Sequence, residues 1–394
     1  MGSANGMMWR WSVATLAVLV VHVAAAHAFV TTERSSSIII FPKVISDSSG
    51  LQSFPNPSTD PLVKGIPVDT IIQISNTGNS MVYAHCFYVD ATPADPTRPP
   101  GLANPVACLE TDFDIALTKQ QPTHWLVSTG RQPGSLDTTP CSVDCSNSGF
   151  EPGLIPRVDD PFTGELKCIE TDYTGAPISG NHLKGEATIV TLDGKGDASK
   201  YNAIGLLGDP NNNNGDDTLC LGGDASSSCE SLDMVSGPEY GACPQTVILN
   251  QFAVNATDPV IEELGNGPSQ VQTEVTLVPC SEDFAGGAVT PIKVQFFVTN
   301  EMESVFSGST TITCWANLRL DSLGSLSKIF DFGTLRSRFA QTQMSARASG
   351  SGAGFVGIVE EFHQTSAATG RAAGNLHNQG DRPGGDTINL PGTF

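Results

Sequence analysis

Short apolar runs, separated by polar stretches that contain Pro and Gly, recur along the chain from residue 36 onward. The runs are rich in Val, Ile, Thr, Phe and Tyr, the residues that pack well on a pleated sheet. No stretch repeats its apolar positions with the 3.6-residue period of a helix over several turns. The pattern therefore predicts an all-β protein built from short antiparallel strands.

The most strongly patterned stretch, residues 68–89, consists of two apolar runs on either side of a polar loop. The loop, residues 76–80, contains Gly78 and has the length of a hairpin connection, so we predict that the two runs pair with each other. About seven short strands with turn signals between them are typical of an immunoglobulin-like sandwich. Further strands of the first half are predicted over residues 36–41, 111–117, 123–128, 183–190 and 200–206.

The second half repeats this order of features. Residues 298–304 carry the same order of an aliphatic residue, a hydroxyl residue, Asn and a later Ser as residues 74–80. We therefore predict two immunoglobulin-like antiparallel β-sandwich units in tandem, linked by disulfides and with long loops, and a chance likeness between generic strands is the competing interpretation. Strands of the second unit are predicted over residues 246–249, 273–278, 294–299, 310–315, 328–332, 339–344 and 354–362.

Changes in composition mark the boundaries between segments. Stretches rich in Pro and Gly indicate exposed loops, and a stretch rich in Asn, Asp and Cys indicates a connector. The C-terminal stretch has one apolar pair, Ile388 and Leu390, which buries too little surface to offset the entropy of the chain. The predicted segments are a signal peptide (1–28), a first β-sandwich (29–207) with a Pro/Gly-rich insertion (130–164), a connector (208–245), a second β-sandwich (246–363) and a disordered tail (364–394).

The N-terminal segment has the organisation of a secretory signal peptide. Arg10 precedes the apolar run of residues 13–26, and the small residues Ala26 and Ala28 predict cleavage before Phe29. A membrane anchor is the competing interpretation, but the run is shorter than the roughly 20 residues of a spanning helix. We expect a secreted protein that is extracellular or at the cell surface, and the periplasm is the alternative location. We expect no membrane span after cleavage.

The chain is strongly acidic, with 41 Asp and Glu against 20 Lys and Arg and a formal net charge of -21 at pH 7. Such a surface repels phosphate backbones and anionic lipid heads, so we expect neither nucleic acid nor a membrane surface as a partner. Calcium and other cations remain candidate partners. The simpler interpretation is that the acidity keeps an exported protein in solution.

All 10 cysteines follow the predicted cleavage site. An even number of cysteines in an exported chain predicts disulfides, because the compartment lacks the thiol pool that keeps cytosolic cysteines reduced. Cys141 and Cys145 are close enough in sequence to close one small loop, and Cys220 and Cys229 another. The remaining pairings cannot be deduced from the sequence.

Signatures of known catalytic sites are absent. No G-x-S-x-G, H-E-x-x-H or Walker A sequence occurs, so we predict no catalytic residue and no cofactor other than calcium. The Asn/Asp-rich residues 209–217 look like a calcium loop but lack the Gly and Glu of the EF-hand frame. A different oxygen cage, formed by Asp209, Asn211, Asn213 and Asp217, is the metal site we predict, and a solvated loop is the competing interpretation.

Three acidic clusters directly follow cysteines, at residues 108–113, 168–173 and 280–284. Carboxylates at alternate positions of a strand point to one face, so Glu110 and Asp112 are predicted to lie side by side. They could share a hard cation with a loop from elsewhere in the chain. The competing interpretation is a solvated strand edge next to a disulfide.

Four stretches resemble a group of uncharacterised exported bacterial proteins. This resemblance implies bacterial export and an all-β fold, and it implies no activity or site residue. The stretches are 85–89 (HCFYV), 118–125 (TKQQPTHW), 183–188 (LKGEAT) and 278–284 (VPCSEDF).

Two functional hypotheses follow. The first is a secreted non-enzymatic β-sandwich protein that acts as a surface or extracellular structural or interaction module, whose partner is an extracellular protein, a glycan or another copy of itself. The second is a calcium-dependent secreted hydrolase or a carbohydrate-binding protein. A deep cleft with two convergent carboxylates and an aromatic floor, such as Trp125 or Trp315, would favour the second hypothesis.

Overall fold

The structure is a computed structural model that describes most of the chain after residue 29. The predicted signal peptide, residues 1–28, lies outside the described residues. The described residues are 30–50, 66–95, 106–131, 135–136, 139–140, 152–194, 197–222, 239–263, 269–288, 291–347, 354–364, 369–381 and 386–392.

Strands dominate the first half of the chain, as the apolar pattern predicts. They are β1 (Val30–Thr31), β2 (Ile38–Ser46), β3 (Val68–Asn76), β4 (Val82–Asp90), β5 (Leu109–Leu117), β6 (Pro122–Leu126), β7 (Ser135–Leu136), β8 (Thr139–Pro140), β9 (Phe162–Thr171), β10 (Leu183–Thr191), β11 (Ala198–Asn202) and β12 (Ile204–Leu206).

Strands dominate the second half as well, with short helices α1 (Pro259–Glu263) and α2 (Phe332–Leu335) and a 3-10 turn over Gly324–Ile329. None of the helices in the described residues has the length and apolar character needed to cross a bilayer. The all-β prediction is confirmed. The strands are β13 (Thr218–Leu221), β14 (Pro244–Phe252), β15 (Gln270–Pro279), β16 (Glu282–Asp283), β17 (Ile292–Asn300), β18 (Val305–Ile312), β19 (Ala316–Arg319), β20 (Phe339–Arg347), β21 (Phe355–Gln364), β22 (Thr369–Asn375), β23 (His377–Asp381) and β24 (Asp386–Asn389).

The first half forms a six-stranded sheet, in the order β1-β12-β2-β9-β4-β5, and a four-stranded sheet, in the order β11-β10-β3-β6. Phe41 and Ile39 of the larger sheet share one apolar core with Ile72 and Ile74 of the smaller sheet. Every residue of β2 and β9 is buried. These two strands are covered on both faces, because the second half packs against the other side of the larger sheet, around Ile38.

The second half forms a five-stranded sheet, in the order β18-β17-β20-β14-β23, and a four-stranded sheet, in the order β19-β15-β21-β22. Val294, Phe296 and Val298 of β17 lie in the core that these sheets share. Residues 298–304, which match the loop of the first predicted hairpin, do connect paired strands, since β17 and β18 form an antiparallel hairpin. A three-stranded sheet, β13-β24-β16, lies between the two halves, and a two-stranded ribbon, β7-β8, completes the set.

The prediction of two tandem immunoglobulin-like sandwiches is wrong. The five sheets of three to six strands form a five-bladed, propeller-like arrangement of small sheets. Strands far apart in the sequence, such as β1 and β12, are neighbours, and the sheet between the halves takes β13 from the predicted connector and β24 from the predicted tail. The physical reason is that strand order is decided by long-range burial, which the local apolar period does not encode.

The stretch that looks most like a hairpin is also paired differently from our prediction. Both apolar runs of residues 68–89 are strands, but β3 pairs with β6 and β10, whereas β4 pairs with β5 and β9 in the other sheet. Asn76 holds the crossing between them: its Nδ2 donates to the carbonyl oxygen of Ser80 at 2.7 Å, and its Oδ1 accepts from the backbone N of Gly78 at 2.7 Å. Asn300, the matching residue of the second half, accepts from the backbone N of Ser304 at 2.8 Å.

A bulge in β2 joins the halves through a buried ion cluster. The pairing register of β2 shifts between Phe41 and Val44, which lets Lys43 point away from its own sheet. The Nζ of Lys43 donates to Glu274 of β15 at 2.7 Å and to Glu360 of β21. All three side chains are buried, so the cation from the first half and the two carboxylates from the second half each need the other as a partner. This cluster therefore ties the two halves together.

The predicted disorder of the tail is wrong for its described residues. These residues form β22, β23 and β24, and β24 pairs with β13 and β16. Ile388 and Leu390, the apolar pair noted in the sequence, are buried in the core between the halves. The described part of the tail forms strands because Ile388 and Leu390 insert into a surface supplied by the rest of the protein, which the composition of the tail cannot reveal.

Three disulfides lie within the described residues: Cys86–Cys168, Cys108–Cys314 and Cys243–Cys280. They confirm that the cysteines form disulfides, and they fit a protein that folds outside the reducing cytosol. Cys220 is also disulfide-bonded, but Cys141, Cys145 and Cys229 lie outside the described residues, so both small-loop pairings stay predictions.

Candidate functional site

An acidic pocket of about 290 Å³ lies where the two halves meet. One wall is the start of β5 with Glu110, and the opposite wall is β16 with Glu282 and Asp283. The disulfide between Cys108 and Cys314 closes one side. Of the described residues that line this acidic pocket, none is basic.

The β5 wall follows from the alternation of its sequence. β5 is the edge strand of the six-stranded sheet, and Phe113, Ile115 and Leu117 point into the first core. Glu110, Asp112 and their neighbours at alternate positions therefore face the other way, towards the second half. Glu110 and Asp112 lie opposite Val89 and Phe87 of β4, two alternate positions of that strand. This register confirms the prediction that the two carboxylates lie side by side on one face.

The opposite wall is positioned by the tail. Glu282 and Asp283 pair in parallel with Ile388 and Asn389 of β24, and the disulfide of Cys280 anchors the chain just before them. The stretch that approaches Glu110 from elsewhere in the chain is the third acidic cluster of the sequence, residues 280–284. A cation shared between these carboxylates stays a prediction. The second cluster, residues 168–173, lies apart, where Glu170 accepts a hydrogen bond from the backbone N of residue 182.

One carboxyl of the acidic pocket, Glu110, has a raised pKa. Burial, followed by the charges of Asp112, Glu282 and Asp283, raises the pKa of Glu110 to about 7. Glu110 therefore titrates near neutral pH while acidic neighbours surround it. A group in this state is typical of sites that hold a proton or a cation.

A buried layer lies beneath the acidic pocket on β9. Lys167 donates to Glu282, and its Nζ lies 5.6 Å from the ring centre of Phe284. Glu165 is fully buried beside it, at 3.9 Å from the Lys167 Nζ, and burial followed by the charge of Glu282 raises its pKa well above the ordinary value. Phe284 stacks on Phe87 with ring centres 4.1 Å apart. This aromatic pair covers part of the buried layer.

Glu282 also shares a hydrogen bond with the buried carboxyl of Glu165. The side chain of Glu282 is 8% exposed, its Oε2 is bound to Lys167, and the hydrogen bond to Glu282 is one of the causes that raise the pKa of Glu165. A carboxyl with a raised pKa keeps its proton and can donate it to a neighbouring carboxylate. The Glu165–Glu282 pair therefore holds a proton beneath the acidic pocket.

The sequence reveals the walls of this site but not the layer beneath it. Glu165 and Lys167 directly follow the predicted Pro/Gly-rich insertion (130–164), in a stretch for which we predicted no strand, and nothing marked them as buried charges. The signal that could have found them is the alternation of charged and apolar residues through Cys168, which predicts a strand with one charged face.

Side-chain oxygens of the predicted calcium loop accept hydrogen bonds from backbone N–H groups of the same loop. Oδ1 of Asp209 accepts from the backbone N of Asn211 at 2.9 Å, and Oδ1 of Asn213 accepts from the backbone N of Gly215 at 2.8 Å. The side-chain Nδ2 of Asn213 donates to the Tyr240 hydroxyl at 2.7 Å. No group of three or more His, Cys, Asp or Glu side chains in the described residues is arranged to hold a metal ion. The cage of Asp209, Asn211, Asn213 and Asp217 stays a prediction.

Trp125 and Trp315, the examples given for an aromatic floor, do not line the acidic pocket. Trp125 and Trp315 are both buried, and the indole Nε1 of Trp125 donates to the Tyr88 hydroxyl at 2.6 Å. The Nε1 of Trp315 donates to the carbonyl oxygen of Pro42 at 2.7 Å, so it holds the bulge of β2. Both side chains serve the packing of the core.

The state of Glu110 gives a testable pH dependence. A carboxyl whose pKa is raised on folding stabilises the fold below the unfolded pKa, near 4.5, and loses this contribution as the pH rises to about 7. We expect E110Q to have the melting temperature of the wild type at pH 4 and a higher melting temperature at pH 8. The measurement is thermal unfolding by circular dichroism across this range, with E33Q, an exposed residue outside the pocket, as the matched control. A difference between E110Q and the wild type that does not change with pH would contradict the assignment.

Comparisons with known proteins add no functional assignment. No protein-family model matches the sequence, and no curated protein matches it. The crystal structure of Thermotoga maritima 1070 is 10% identical and aligns over 36% of this chain and 98% of that chain, with a TM-score of 0.24. A score this low carries no argument about fold or function.

Proposed function

We propose that the protein is an exported, non-enzymatic interaction module that holds a cationic group of an extracellular partner in its acidic pocket. The observation that carries this proposal is the convergence of Glu110, Glu282 and Asp283 on one pocket that no described basic residue lines. An ammonium or guanidinium group would donate charge-assisted hydrogen bonds to these carboxylates and offset the charges of Glu110 and Asp283.

The shape and lining of the acidic pocket favour an organic cation on an apolar stem. Val89, Phe284 and the Cys108–Cys314 disulfide provide apolar walls beside the carboxylates. A Lys or Arg side chain has this combination of a methylene stem and a cationic head. A volume of about 290 Å³ is near the lower end of small-molecule sites, which suits one side chain of a partner.

Binding of a single side-chain probe tests the proposal. The probes are the N-acetyl amides of lysine and arginine, with the N-acetyl amide of norleucine as the uncharged control, titrated into the full exported chain by isothermal calorimetry. We expect at least one cationic probe to bind, with an affinity that falls as salt is added, and no binding of the norleucine probe.

Three variants locate the binding. E282Q is expected to weaken binding about tenfold or more, because a charge-assisted hydrogen bond contributes about 1.5–3 kcal/mol. D283N, which does not touch Lys167, is expected to weaken it less. D114N is the matched control, because Asp114 lies on the same face of β5, is bound to His85 and does not line the pocket. Equal binding by E282Q, D283N and wild type, or equal binding of the norleucine probe, would refute the proposal.

A further inference from the structure

The outer edge of β5 presents backbone groups to solvent beside a row of carboxylates. β5 is the last strand of the six-stranded sheet, so one of its edges pairs with β4, and no described strand pairs with the other edge. The first four residues of β5 are all exposed. An exposed strand edge carries unpaired N–H and C=O groups that can accept a further strand. We call this edge, over residues 109–114, the open edge of β5.

One hydrogen bond shows which residues of β5 direct their backbone groups outward. The backbone N of Ala116 donates to the carbonyl oxygen of Pro152 at 2.9 Å, so this N–H points away from β4. Backbone direction alternates along a strand, so the N–H and C=O groups of Asp114, Asp112 and Glu110 also point away from β4. The outward backbone groups and the row of carboxylates therefore belong to the same three residues.

A strand added to the open edge would place side chains directly beside these carboxylates. In a hydrogen-bonded antiparallel pair, the two residues exchange both N–H···O bonds and their side chains lie on the same face. Opposite charges at such paired positions are favourable, and like charges are unfavourable. The three carboxylates therefore favour Lys or Arg at every second position of the added strand. They disfavour β5 of a second copy of this protein, which would bring carboxylates opposite carboxylates.

The intervening positions of the added strand would lie on the other face of the sheet. The residues of β5 on that face are Leu109 and Thr111, which are exposed, and Phe113, which belongs to the first core. Apolar β-branched side chains suit a position beside such residues on a pleated surface. A segment that alternates basic and β-branched residues is therefore the pattern that fits both faces.

The open edge leads directly into the acidic pocket. Glu110 belongs to both, and Glu282 and Asp283 line the other wall of the pocket. Further along the edge, the side chains of Asp112 and Asp114 are 55% and 73% exposed. His85 contacts both of them from β4, but a single imidazolium can offset only one of the two charges. The acidic surface therefore continues from the pocket along the edge.

We propose that the open edge of β5 binds an extended basic segment of a partner protein as an added antiparallel strand. This inference rests on the proposed function and names the form of the partner. The segment carries Lys or Arg at every second position, and the basic side chain opposite Glu110 lies at the acidic pocket. Backbone hydrogen bonds to the open edge supply affinity, and the alternation of side chains supplies specificity.

The test is calorimetric titration of the full exported chain with the acetylated and amidated peptide Lys-Val-Lys-Val-Lys. We expect this peptide to bind at least about tenfold more tightly than the N-acetyl amide of lysine, because it adds backbone hydrogen bonds to the same charge contact. Two methylated peptides separate backbone pairing from charge. N-methyl groups on the second and third lysines block the N–H groups that face β5, so the added affinity should be lost. N-methyl groups on the two valines block N–H groups that face solvent, so the affinity should stay the same.

D112P and D112A locate the pairing on the protein. Both variants remove the carboxylate of Asp112, but only proline also removes the outward N–H, which an edge strand tolerates because this N–H makes no bond to β4. We expect D112P to bind the peptide at least about fivefold more weakly than D112A. Both should bind the N-acetyl amide of lysine equally, since Asp112 does not line the acidic pocket. Thermal unfolding by circular dichroism shows that both variants are folded.

The outcomes for the open edge and for the acidic pocket can be told apart. If the N-acetyl amide of lysine binds and the peptide binds no more tightly, the pairing at the open edge is refuted while the proposed function stands. If neither binds, both are refuted. If the peptide methylated on its lysines binds wild type as tightly as the peptide methylated on its valines, the contact is made by charge alone and no strand is added.

Discussion

K43M is expected to lower the free energy of unfolding by about 3–5 kcal/mol, because it leaves buried carboxylates without their cation. Lys43 is 2% exposed, and its Nζ lies between Glu274 and Glu360, which belong to the other half of the chain. Burial alone would lower the pKa of Lys43, but the two carboxylates outweigh it and raise the pKa. Arg371 also contacts Glu360, so one carboxylate keeps a partner and Glu274 loses its cation.

Equilibrium unfolding in urea at pH 7 measures this effect. K200M is the matched control, because Lys200 and Glu186 form an ion pair whose side chains are 50% and 36% exposed. Exposed pairs contribute about 0–1 kcal/mol, so K200M should unfold at nearly the urea concentration of the wild type. If K43M and K200M lose the same small amount, the ion cluster does not hold the halves together.

The pH dependence of the same variant gives a second, independent test. Burial would raise the pKa of Glu360, but Lys43 and Arg371 lower it to about 2. A depressed pKa contributes stability above the unfolded pKa, near 4.5, and this contribution is lost as the pH falls towards 2. Because K43M removes one source of the depression, its stability should approach that of the wild type as the pH falls through this window.

The sequence predicted individual strands well because strands are specified locally. The apolar runs of β3, β4, β17 and β18 all form strands, and Asn76 and Asn300 both bind the turns that follow them. Partner choice is not local. The residues that connect β3 to β4 fit a hairpin, yet the two strands enter facing sheets, because each has both of its edges covered by strands more distant in the sequence.

The acidic pocket was predictable in part for the same reason. The alternation of Glu110 and Asp112 places both on one face, and this follows from the period of a strand alone. The approach of Glu282 depends on β24, in a tail that looks too polar to fold, and on a disulfide between Cys108 and Cys314, which are 206 residues apart. Neither contact leaves a local signal in the sequence. The sequence therefore identifies the individual carboxylates but does not show that they come together in one pocket.

C108A/C314A is expected to lower the free energy of unfolding by about 5 kcal/mol, because this disulfide closes a long loop in the unfolded chain. Its sequence separation of 206 residues compares with 37 for Cys243–Cys280. The loop-entropy relation gives about 4 kcal/mol for the shorter loop, so C243A/C280A serves as the control and should be the milder variant. Urea unfolding of the three proteins under oxidising conditions measures the order.

The disulfide of Cys108 and Cys314 should also matter for ligand binding, because it forms a wall of the acidic pocket and ties β5 to the second half. We expect C108A/C314A to bind the cationic probe more weakly than the wild type even where both are fully folded. C243A/C280A, which leaves this wall of the acidic pocket intact, is the control for this measurement. If the double variant unfolds at the same urea concentration as the wild type, the disulfide does not contribute to the free energy of unfolding. The two halves would then be held together by the buried ion cluster and the core alone.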